Sequence, residues 1–153
     1  MTTATEARHA VRSRMEAGNI AFDGNAVPLR WQNEDGGPLP DGPTPFVYTE
    51  FLNEGASIAG YGGGRGLNIY RNMAVVESFV FVPKGWGLDA AENIAEQIAA
   101  LLRSHRDAHI SCFEATVIPG GDGAKLTPPG LSSDVGNYFY AATEIRLHFD
   151  QVG

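Results

Sequence analysis

Residues 137–150, NYFYAATEIRLHFD, alternate with period two. Phe139, Ala141, Thr143, Ile145, Leu147 and Phe149 fall on one face, and Tyr138, Tyr140, Ala142, Glu144, Arg146 and His148 on the other. This pattern predicts a strand, and its apolar face must be covered by another element. The cover stands upstream in GLDAAENIAEQIAALLRSHR. There Ala91, Ile94, Ala95, Ile98, Leu101 and Leu102 form a wide apolar stripe at helical spacing. The stripe is expected to pack on the sheet through Ile98 and Leu101. Asp89 is expected to cap this helix with Glu92 completing the box, and Arg103, His105 and Arg106 stand where a helix C-terminus favours positive charge.

The other elements follow by the same reasoning. TATEARHAVRSRMEAGN predicts a helix, with Thr3 and Glu6 as a capping box, Ala4, Ala7, Val11 and Met15 on one narrow face, and Gly18 as the stop. AVPLRW (26–31), PFVYTEFLN and HISCFEATVIP predict strands. AVVESFVFVP predicts the strongest strand of the first half. It puts Val76, Ser78, Val80 and Val82 on one face, and Val75, Glu77, Phe79 and Phe81 on the other. Its end is apolar on both faces, so both are expected to be covered there. Together these predict an α+β chain: a mostly antiparallel sheet with two helices packed on it, in one domain spanning 1–153.

Composition narrows the function classes. At 43% hydrophobic residues, the 153-residue chain has enough apolar material for a core. Its net charge of −7 is the wrong sign for a static nucleic-acid clamp. No window approaches the ~20 apolar residues of a membrane helix, and MTTATEARHAVRSRM does not resemble a signal peptide. Cys112, the single cysteine, excludes an intramolecular disulfide and reads as a small buried hydrophobe, which suits a reducing compartment.

Catalytic and metal patterns are missing. GYGGGRG is not followed by the Gly-Lys-Ser/Thr of a Walker loop, and strand-like LNIY replaces the helix of a dinucleotide fingerprint. It reads as a turn between antiparallel strands. His105 and His109 have an i,i+4 spacing, but the helix is expected to end between them, and GGDGAK offers one acid rather than a calcium loop. What stands out is loop length. LRWQNEDGGPLPDGPTPFVYTEF carries a long, acidic, proline-stiffened stretch, and long loops without a catalytic constellation suggest contact with partner proteins.

Several motifs occur in a telling order. After the N-terminal helix come RWQN with its Pro-rich acidic loop, PFVYTEFL, a Gly-rich turn with IYRN, and VFVPKGWGLDAAENIAEQIAALL. In this order the chain resembles the tail terminator proteins of long-tailed bacteriophages, prophages and gene transfer agents. The most recognisable part is the hydrophobic strand running into Pro-x-Gly-x-Gly and a helix.

The resemblance implies a tail-terminator-like fold and a structural role without catalysis, cofactor or metal. Such proteins form a homohexameric ring on the finished tail tube, stop tube-subunit addition and present a surface to the head-tail connector or stopper protein. It implies a virion location at the head-proximal end of the tail, after assembly in the bacterial host cytoplasm. DNA would pass through the lumen without specific binding, and six copies at −7 each would carry a formal charge of −42. Glu34, Asp35, Asp41, Arg65, Tyr70 and Arg71 are the candidate subunit or tube interface. Two other readings stay open: a neck or tail-completion protein without terminator activity, and a small cytosolic ligand-binding domain or enzyme using the Gly-rich turn.

Overall fold

The computed structural model describes residues 1–39, 42–122, 128, 131 and 136–153. Helix α1 spans Ala4–Ala17 and begins with the expected capping box. The Glu6 amide donates to Thr3 Oγ1 (3.2 Å), and the Thr3 amide donates to Glu6 Oε2 (2.7 Å). Ala7, Val11 and Met15 are its buried residues. A two-residue hairpin follows, β1 (Ala21–Phe22) on β2 (Asn25–Ala26), turned by Asp23 and Gly24 at φ 50° and 77°. Ala26 thus belongs to this hairpin, and only Leu29–Trp31 of the expected 26–31 strand forms β3.

Strands β4 (Phe46–Gly60) and β5 (Ile69–Pro83) make a long antiparallel hairpin. Helix α2 (Leu88–Leu102) leads to β6 (Ser111–Asp122) and β7 (Tyr138–Val152). The five-stranded sheet has the order β3-β4-β5-β7-β6, and every pairing is antiparallel except β3 with β4. That exception explains the long loop of residues 32–45. Parallel neighbours cannot be joined by a tight turn, so the chain must travel back the length of the strand. The loop therefore has a structural duty of its own, in addition to any contact with partners.

Both helices cover one face of the sheet. The core joins Val11 and Met15 of α1, Ile94 and Ile98 of α2, Val76 and Val80 of β5, and Ile145 and Leu147 of β7. Two details depart from the sequence reading. Asp89 does not cap α2: Gly87, at φ 87°, is the N-cap and makes no side-chain hydrogen bond, so Asp89 lies inside the first turn. There its charge complements the helix dipole. Leu101 is half-buried: it packs against the core from its rim, beside the end of α1. A methyl at Gly18 would clash with its side chain, and Arg14 Nε donates to its carbonyl (3.0 Å). Leu102, fully buried, takes the core position instead.

The end of the sheet is covered on both faces, as expected. Phe46, Tyr48, Phe81, Leu131 and Tyr138 form a second cluster with Leu39 packed on it. Phe46 and Phe81 stack at 4.7 Å, and Tyr138 meets Phe46 edge-on at 5.2 Å.

The burial of α2 gives a direct test. Ile98→Ala is expected to lower unfolding free energy by about 2–5 kcal/mol. Glu96→Ala, at an exposed position, should change it by less than about 0.5 kcal/mol. Urea denaturation of the two variants checks this, and equal losses would contradict the helix orientation.

Candidate interaction surface

The register of the strands decides which side chains face away from the helices. Glu50 lies opposite Glu77, and Glu77 opposite Glu144, with Thr116 of β6 completing the row. Three carboxylates on three adjacent strands thus stand side by side on the open face. Like charges directly opposite one another are destabilising. The same three strands carry a matching row on the helix side: Thr49, Ser78 and Thr143, all buried. These hydroxyls are satisfied. Thr49 Oγ1 and Ser78 Oγ are 2.9 Å apart, and Thr143 Oγ1 donates to the Ala95 carbonyl (2.9 Å).

The carboxylates are less well served. Tyr48 Oη donates to Glu50 Oε1 (2.9 Å), and burial together with that carboxylate pushes the phenol up to about 12. Arg146 reaches Glu144 (3.2 Å) and Glu54 (3.6 Å). Glu77, in the middle, makes no hydrogen bond or ion pair with a described residue. Burial first, then Glu144 and Glu50, raise its pKa. Next to the row, Glu77, Phe79, Ile118, Tyr140, Ala142 and Glu144 line a cavity of about 200 Å³.

At the other end of the sheet β4 runs on beyond its short pairing with β3, while β5 beside it stays paired with β7. Residues 52–59 of β4 are exposed without alternation, so neither face of this segment is buried. The connecting turn, residues 61–68, is shaped by glycine. Gly63, Gly64 and Gly66 have φ of 102°, 114° and 86°, and any side chain at Gly62 would strike the Leu67 carbonyl. The Leu67 amide donates to the Gly64 carbonyl (3.1 Å). Tyr61 is 87% exposed and Leu67 59%.

The interface candidates fall into two groups. Arg12 Nη1 donates to Glu34 Oε1 (2.7 Å), and Asp35 Oδ1 accepts from the Gly37 amide (2.8 Å). Arg71 makes a two-pronged contact with Asp150 (2.9 Å for each prong), and Tyr70 packs against the chain end at Gly153. These four are engaged within the chain. Arg65, at the hairpin tip, is exposed and makes no such bond with a described residue. Asp41 lies outside the described residues.

Elsewhere the chemistry is plain. Cys112 is buried, and burial pushes its thiol up to about 12. Helix α2 ends before both His105 and His109. His105 Nε2 is 3.1 Å from Asp107 Oδ2, and His109 Nδ1 is 3.3 Å from Thr2 Oγ1. Among the described residues no group of three His, Cys, Asp or Glu side chains could hold a metal ion, and no helix is long and apolar enough to cross a membrane.

No family model and no curated protein matches the chain. Fourteen chains of solved structures do match, so the architecture recurs among known structures. One of them, a protein designated only by a sequence identifier, aligns over 96% of this chain and 96% of its own. Its TM-score is 0.55 and its identity 17%. The similarity is one of fold.

The glutamate row has a measurable cost. The raised pKa of Glu77 means that the folded chain holds this proton more tightly than the unfolded chain. Its contribution to stability is therefore full below its ordinary value of 4.5 and is lost as pH rises through the higher folded value. Glu77→Gln should stabilise the chain at pH 7 by about 0.2–1 kcal/mol and flatten the fall in stability above pH ~4.5. Thermal unfolding from pH 4 to 8 tests this, and an unchanged pH profile would contradict it.

Proposed function

We propose that this chain is a structural tail protein that caps a completed phage tail tube as a hexameric ring, stops tube polymerisation and offers a docking surface to the head connector. The observation that carries this reading is the outer segment of β4, residues 52–59, exposed on both faces and beyond its short pairing with β3. A strand gains stability from side chains buried on at least one face, and an open sheet edge presents unpaired backbone groups to another chain. An edge segment exposed on both faces gains most when a neighbouring molecule covers it. In a ring, each copy would extend its arm to the next.

The order of motifs from RWQN to VFVPKGWGLDAAENIAEQIAALL supports the same reading. So does the charge. With −7 on each copy, a ring carries net charge of the same sign as the phosphates, so DNA moving through it would gain little from counterion release and would not be held. We infer a lumen in which acidic side chains outnumber basic ones.

The test is to polymerise purified tail-tube subunits with and without the protein and image the tubes. Shorter tubes carrying a cap at one end are expected, the cap corresponding to six copies of 16.4 kDa, about 98 kDa in all. Replacing residues 59–69 by Asn-Gly joins Ile58 to Tyr70, which face each other in the register, through a two-residue turn. This variant should fold and fail to cap. Tubes of unchanged length with the wild-type chain, or a chain that stays monomeric on tubes, would overturn the reading.

A further inference from the structure

We propose that the hairpin tip of one copy docks on the open sheet face of the next, with Arg65 against the carboxylates of Glu77 and Glu144 and the apolar tip residues in the adjoining cavity. The inference rests on the ring reading above and names the surfaces that would close it.

Charge complementarity selects the occupant. From Ala56 to Ile69 the arm carries one charged side chain, Arg65. The open face carries Glu50, Glu54, Glu77 and Glu144 with Arg146 as the guanidinium among them. A cation arriving at Glu77 would relieve the repulsion along the row, and no described residue of the same chain does so there. The apolar surfaces also correspond. Tyr61 and Leu67 are exposed beside Arg65, while the cavity beside Glu77 is walled by Phe79, Ile118 and Tyr140. Because glycine fills most of the remaining tip, the finger is narrow enough for a shallow recess of about 200 Å³.

A chain cannot make this contact with itself. Glu77 lies eight residues along β5 from Ile69, a separation of about 26 Å at strand rise, and the tip lies farther out along the same hairpin. The contact must therefore come from a second molecule. As an exposed element, the tip can be changed without disturbing the core.

The full-length chain tests the inference through charge reversal and cross-linking, both on tail tubes. Arg65→Glu should weaken cap formation at least about tenfold, because like charges would then face each other. Combining Arg65→Glu with Glu77→Lys should restore most of it. Arg65→Cys with Glu77→Cys, treated with a short bis-maleimide, should give a ladder of covalent oligomers of this chain. Buried Cys112 stays silent in this reaction. If the wild-type chain caps tubes but Arg65→Glu caps equally well, or if position 65 cross-links to the tube subunit instead, the docking inference is wrong and the ring reading stands. If the wild-type chain neither caps nor assembles, the ring reading itself fails.

Discussion

The pairing of β7 with β5 is the constraint on which the rest depends. It runs without a bulge from Ile69 opposite Val152 to Pro83 opposite Tyr138. Side chains alternate across a strand, so a slip of one residue would send Ile145 and Leu147 into solvent and Glu144 and Arg146 under the helices. The hydrophobic pattern forbids this. Once the register is fixed, the helix side must receive α2, and Thr143 finds its acceptor in the Ala95 carbonyl. The same register leaves no freedom for the opposite face. Glu77 must stand between Glu50 and Glu144 because their neighbours must stand under the helices.

The polar rows therefore have unequal consequences. The hydroxyl row is buried but satisfied, and a satisfied polar network helps to specify one arrangement of a core. The carboxylate row is half-exposed and unrelieved at its centre. A folding requirement alone would be met better by glutamine or threonine at position 77. Departures from local stability rules concentrate at surfaces used for something else, and here the departure lies beside a recess lined by aromatic and aliphatic groups.

Much of the architecture was legible in the sequence because it rests on periodicity. The alternation from Tyr138 to Phe149 and the stripe from Ala91 to Leu102 each pointed to their own cover. A strand was expected within 26–31, but the parallel pairing of β3 was not legible, because three residues carry too little pattern to choose a partner, and so the loop after Trp31 looked free for partner contact. Among the described residues of that loop, Glu34 and Asp35 are held locally. The glutamate row was missed for a different reason: Glu50, Glu77 and Glu144 are far apart in sequence and meet only through register. One signal was present. Each is adjacent to a hydroxyl residue inside an apolar strand, as Thr49-Glu50, Glu77-Ser78 and Thr143-Glu144. Three such dipeptides in three strands mark a polar band crossing the sheet.

The placement of the two surfaces bears on what kind of assembly they would build. The arm and the acidic face lie at different positions along one sheet, and they differ in character. One is a narrow finger with a single cation, the other a recess beside a row of anions. Neither is complementary to itself. A two-fold dimer would need finger and recess to meet reciprocally across one axis, whereas a head-to-tail contact uses one finger and one recess between each pair of neighbours. Repetition of that contact gives either a closed ring or an open filament, according to the rotation between neighbours. An acidic chain adds a condition, since every added copy brings a further −7 and raises the repulsion along the assembly. Closure saturates every arm and every recess at a finite size, whereas a filament continues to accumulate charge and always keeps one of each unsatisfied. The charge on the chain thus favours the closed form of the same contact.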